Sequence, residues 1–195
     1  MLKAEICGIK FRMGLLFPAV LVILFAFDDT GIPAWCLAAS AMHEAGHFMA
    51  MYLLGCKPSL ISIGMFGIRV EQPAGNNASF AKSMAISLAG PAVNLICFAV
   101  LAAATGINYV ALIHLAIGVF NLLPMEYLDG GQFLYFQLAG RLGEERADRI
   151  CFYISLVVLA LIATAGFFLL IRSGHNFTLL GLSVYLGLMT LLKRK

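Results

Sequence analysis

In the stretch AASAMHEAGHFMA, Ala38 to Ala50, His43, Glu44 and His47 stand in the order H-E-x-x-H. On a helix, residues i and i+4 share a face and lie about 6 Å apart along the axis, so two imidazole nitrogens can meet one ion. Zn2+ takes such nitrogen ligands in a roughly tetrahedral site, and a catalytic zinc keeps one position open. Glu44 adjoins the first histidine, where it could take the proton of a water acidified by the metal. So short a pattern also arises by chance. This one lies in an apolar run, and ionisable groups at membrane depth mark functional sites.

A catalytic zinc needs a third protein ligand. His114 lies within a later apolar segment, and Asp148 lies among charges. His175, Asp28 and Asp29 fall in loops on the opposite side from the site. Asp129, in NLLPMEYLDGG, is followed by Gly130 and Gly131, which let a backbone approach closely. The segment Leu128 to Leu138 is too short to cross a bilayer. It reads as a re-entrant helix tolerated at depth only when buried in protein, with Asp129 at its start and within reach of the zinc. His114 stands two helical turns before Asn121 on nearly the same face and reads more simply as a hydrogen-bonded interior histidine. Glu126 offers an extra carboxylate that could ligate, tune the site or face water.

The elements that must hold these residues are strongly apolar. Of 195 residues 62% are hydrophobic and 12% charged, about half the charged share of a soluble domain. Mean hydropathy is +0.94. This composition points to the bilayer as solvent. No basic patch interleaved with aromatics points to nucleic acid. The five cysteines are scattered, without a CxxC pair, and read as small apolar fillers.

The expected fold is an all-α polytopic membrane protein with about six transmembrane helices. The spans fall near residues 11–27, 33–55, 82–104, 109–124, 150–171 and 177–192. The first span reads as an uncleaved helix rather than a signal peptide. With a cytoplasmic N-terminus, every Lys and Arg except Arg172 falls on the cytoplasmic side, as the positive-inside rule asks. Both termini are then cytoplasmic, in a bacterial cell membrane. The stretch SLISIGMFGIRVEQPAGNNAS alternates Ile68 and Val70 with Arg69 and Glu71, and Gly64, Gly67 and Gly75 punctuate it. It reads as a small cytoplasmic β-hairpin or sheet. A strand edge between Ser59 and Glu71 could receive an extended substrate. Residues 1–195 form one membrane domain, with a catalytic core over about 33–138 and extra helices at 11–27, 150–171 and 177–192.

HEAGH, AGPAVN and NLLPMEYLDGG, in that order in hydrophobic segments, resemble the site-2 protease family of intramembrane zinc metalloproteases. The resemblance covers roughly Ala38 to Leu138. It implies His43, His47 and Asp129 as ligands of one Zn2+, Glu44 as the base, and Asn121 and Pro124 as the N-x-x-P element. Pro124 breaks the fourth helix, and Asn121 could hydrogen-bond a substrate backbone that has lost its helical partners. Asn94, on one stripe with Ser87, Gly90 and Pro91, reads as packing between helices; the resemblance sets it at the border of the active site, as a substrate contact. The family often has a further proline before Leu-Asp-Gly, where this chain has Met125, Glu126 and Tyr127.

The implied activity is endoproteolysis within or near transmembrane segments of membrane-anchored substrates. The implied form is compact, without an appended PDZ or CBS domain. Substrate choice is left to the membrane core, the hairpin or a regulatory partner protein. Two other classes are an ion-binding transporter, which predicts internal repeats, and a non-catalytic scaffold, whose closed metal site needs a fourth protein ligand such as Glu126 or His114.

Overall fold

The computed structural model describes residues 2–6, 9–13, 18, 22, 25–56, 60–64, 67–71 and 79–192. Its elements are strands β1 (Leu2–Ile6) and β2 (Ile9–Met13), helix α1 (Ile32–Leu53), strands β3 (Leu60–Gly64) and β4 (Gly67–Glu71), and helices α2 (Phe80–Thr105), α3 (Tyr109–Asn121), α4 (Asp129–Leu142), α5 (Glu144–Ser173) and α6 (Thr178–Leu192).

Local chemistry sets several boundaries. Before α1, the Asp28 carboxylate accepts from the Thr30 hydroxyl at 2.6 Å and from the Gly31 N–H at 2.7 Å. The Thr30 hydroxyl bond foremost holds the Asp28 carboxyl below its usual range, against the opposing effect of burial. Gly31 sits at φ 72°, a left-handed conformation that glycine adopts without cost, and Pro33 opens the helix. At the other end of α1, the Lys82 ammonium donates to the Leu54 carbonyl at 3.0 Å, a favourable charge at a helix C-terminus. Ser79 caps α2 and Asn108 caps α3 through their side-chain oxygens.

Helix α2 is the hub: α1, α3 and α4 pack on it, α4 also packs on α5, and α5 packs on α6. Glycine permits the tightest approach, since a Cβ on Gly46 would come within 2.8 Å of the Ala89 carbonyl oxygen. Met125, Leu128 and Leu186 form a buried core between the 122–128 connection and the α5–α6 hairpin. Much of the remaining apolar surface is exposed, including Tyr153, Val157, Leu161, Phe168 and Ile171 along α5. So much exposed apolar surface suits lipid rather than water.

The expected fold class is overturned on three counts. The chain is not all-α: a four-stranded sheet of order β1-β2-β3-β4 stands beside the helices. The expected hairpin or sheet is there as β3 paired antiparallel with β4, but it is only half of the sheet: β3 also pairs parallel with β2, which pairs antiparallel with β1. A two-stranded hairpin is marginal by itself, and the N-terminal strands supply the missing partners. Consequently the expected first span cannot begin at Phe11, because Phe11 to Met13 lie in β2; residues 14–17, 19–21 and 23–24 of it lie outside the described residues, as do Ser59 and Gly75. The third count is the number of crossings. Among the described residues, two helices, α2 and α5, are long and apolar enough to cross a membrane. Helices α3 and α6 have 13 and 15 residues, about 20 Å at 1.5 Å per residue, short of a ~30 Å hydrocarbon core. Helix α1 has the length, with 22 residues, but carries His43, Glu44 and His47. The segment read as re-entrant belongs to α4, a 14-residue helix.

Candidate metal centre

Three elements meet at one point. His43 and His47 come from one face of α1, one turn apart. Asp129 is the first residue of α4, where the positive end of the helix dipole favours a carboxylate. His43 Nε2 lies 2.9 Å from Asp129 Oδ2, His47 Nε2 lies 3.3 Å from the same oxygen, and the two Nε2 atoms are 3.2 Å apart. Helix α2 forms the third wall. Its Ile86 carbonyl accepts from His47 Nδ1 at 2.8 Å. A carbonyl cannot donate, so in neutral His47 the proton sits on Nδ1 and Nε2 is bare toward the cluster.

This triangle fits a small cation. Ligands about 2.0–2.2 Å from a tetrahedral metal stand roughly 3.3–3.6 Å from one another, close to the observed spacings. Without a shared cation, the bare His47 Nε2 and the Asp129 oxygen would be two acceptors facing each other. Imidazole fixed by a backbone carbonyl at its other nitrogen is the usual outer support of a metal ligand. These three residues form a His/Cys/Asp/Glu group able to hold an ion. Gly90 completes the cradle: a Cβ there would come within 2.8 Å of His43 Nε2 and nearer still to His47 Nε2. Gly130 and Gly131 let the start of α4 close on the preceding connection, since their Cβ atoms would overlap the Leu122 and Met125 carbonyls.

The other expected site residues are placed as follows. Glu44 is half-buried beside His43. Asn94 is fully buried, with its amide between His43 and His114. Asn121 is half-buried, and its Nδ2 donates to the Ile117 carbonyl of its own helix at 3.0 Å. Pro124 is half-buried in the connection before α4, which the Glu126 N–H ties to Ser155 Oγ of α5 at 3.0 Å. Sequence reasoning missed the Ile86 carbonyl, which no side chain advertises. It read Gly90 as a packing glycine, although its position one helical turn before Asn94 was a usable signal.

The arrangement combines helices long and apolar enough to cross a membrane with a two-histidine, one-carboxylate group able to hold an ion. Residues 98–162 match peptidase family M50. Two curated relatives are cyanobacterial proteins of Synechocystis. "Putative zinc metalloprotease slr1821" is 34% identical over 68 residues, covering 35% of this chain and 19% of the relative. "Putative zinc metalloprotease sll0528" is 31% identical over 115 residues, covering 53% and 30%. This chain thus spans less than a third of the length of either. Among solved structures, the site-2 protease from Methanocaldococcus jannaschii matches with a TM-score of 0.70 at 21% identity, covering 100% of this chain and 95% of that one. The fold is that of a site-2 protease, and the resemblance read from the motifs is to that same family.

Proposed function

We propose that this chain is an intramembrane zinc metalloendopeptidase that cleaves membrane-anchored proteins within or near their transmembrane segments. One observation carries the reading: His43, His47 and Asp129 converge with metal-like spacing directly beside a half-buried Glu44. Zinc bound there supplies a Lewis acid that polarises a carbonyl and acidifies water. Glu44 takes the proton of the attacking water and hands it to the leaving amine, so one water is consumed for each peptide bond broken. Asn121 retains its side-chain oxygen for a substrate N–H freed from helical pairing, and Pro124 turns the chain toward the site. Residues 1–195 act as one membrane domain with a catalytic core over about 33–138. The distribution of Lys and Arg supports cytoplasmic termini in a bacterial cell membrane.

The test is zinc content per chain together with cleavage of a single-span model substrate, for wild type and Glu44→Gln in detergent. About one zinc in both, with turnover reduced roughly 10²–10⁴-fold in the variant, is the expected result. Equal cleavage by both proteins would remove Glu44 from the mechanism, and a wild type without zinc would remove the metal.

A further inference from the structure

Behind the metal cluster lie two buried polar side chains that the reaction does not use. Asn94 is 0% exposed and His114 is 5% exposed. Asn94 Nδ2 lies 3.5 Å from His43 Nδ1, and its Oδ1 lies 3.4 Å from His114 Nδ1. An amide has a donating end and an accepting end. It satisfies both rings only when one presents N–H and the other a lone pair, so the tautomers of His43 and His114 are opposed. A half-turn of the amide exchanges oxygen and nitrogen in the same space. In the arrangement as placed, Nδ2 donates to His43 Nδ1. The ring proton is then on Nε2, where it can be given to Asp129 but blocks ligation. In the other, Oδ1 accepts from His43 Nδ1–H, Nε2 is bare toward the cluster, and Nδ2 donates to His114 Nδ1. The ring keeps the same single proton in both.

We propose that His114 is a positioning residue for the metal centre. By accepting at Nδ1 from Asn94, it turns the amide oxygen toward His43 and holds His43 in the tautomer whose Nε2 can bind a cation. His47 needs no such device, because a backbone carbonyl that can only accept fixes its tautomer. An asparagine and a neutral imidazole can each face either way, so a cation on His43 Nε2 sets the direction, and His114 supplies the acceptor that lets the half-turned amide satisfy both its ends. This rests on the metal reading above and deepens it.

The experiment measures Zn2+ affinity of the detergent-solubilised, metal-stripped full chain by competition with a chelating dye. His114→Leu removes the acceptor and is expected to weaken binding about 10–100-fold, the usual cost of losing an outer partner of a metal ligand. His114→Gln keeps an oxygen acceptor and should restore affinity to within about threefold, a small fraction of that outer-partner cost. Asn94→Asp presents an oxygen to His43 without help, so adding His114→Leu in that background should cost little. Equal affinity of wild type and His114→Leu would overturn the inference, as would the same loss with and without Asn94→Asp, which marks a packing role. A wild type that takes up no Zn2+ overturns the metal reading itself and this inference with it. Far-UV circular dichroism separates a misfolded His114→Leu from a folded one; if it misfolds, failure of His114→Gln to bind overturns the proposal.

Discussion

The two halves of the helical region put their buried polar side chains to different ends. In the α5–α6 hairpin they turn back on their own helix: Ser155 donates to the Cys151 carbonyl, Ser183 to Leu180 and Thr190 to Leu186. Such hydroxyls are satisfied locally, so the hairpin can pack as if apolar. In the α1–α4 region Ser87 and Asn121 also return to their own helices, but a set of bonds runs between segments far apart in sequence, His43 to Asp129, His47 to Ile86, and Asn94 to His43 and His114. A network of that kind must be satisfied as a whole, because each member fixes the orientation of the next. The two regions therefore differ in where their polar atoms converge: among the described residues, only the α1–α4 region gathers side chains of different helices into a group able to hold an ion.

Filling the cradle is the largest test of that contrast. Gly90→Ala puts a methyl against both metal-facing nitrogens. Zn2+ affinity is expected to fall beyond the ~100-fold that loss of an outer partner costs, since two ligands must move at once. Equilibrium dialysis against Zn2+ reads this directly. Affinity within tenfold of wild type would show that the histidines do not converge where the structure sets them.

The same contrast explains what the sequence disclosed. His43 and His47 were legible because the i, i+4 spacing compels two side chains onto one face. Asp129 was one candidate among several until the order of motifs singled it out. The Ile86 carbonyl left no trace, since every residue has one. Helix positions followed the apolar runs, but membrane crossings did not, because a run of apolar residues gives no account of helix length after capping at Asn108 and Leu122. The N-terminal strands did leave a signal: Lys3, Glu5, Lys10 and Arg12 alternate with Leu2, Ala4, Ile6, Ile9, Phe11 and Met13, a period of two. Taking those charges only as membrane-side markers hid the alternation. The parallel pairing of β2 with β3 bridges residues far apart in the chain, which local pattern cannot foretell.

A smaller effect is expected at the joint between the halves. Ser155 accepts from the Glu126 N–H and is fully buried, so Ser155→Ala removes the acceptor of a buried donor. The cost is about 1–3 kcal/mol of stability, read as a lower midpoint of thermal unfolding in detergent. Because the bond holds the connection and not the metal ligands, Zn2+ affinity should move less than in His114→Leu. A larger change in affinity than in stability would make this joint part of the site.

The smallest effect belongs to the far hairpin. A Cβ on Gly181 would meet no atom within 4 Å, and Gly181 lies within α6. Alanine there removes backbone freedom from the unfolded chain without displacing a neighbour, so Gly181→Ala should stabilise by up to about 1 kcal/mol. Zinc affinity and cleavage should stay at the wild-type level. Gly90→Ala and Gly181→Ala are the same chemical change in two helices, so the difference between them isolates what the added methyl touches. A loss of zinc on Gly181→Ala would mean that the hairpin, despite its locally satisfied hydroxyls, shapes the metal centre through its packing.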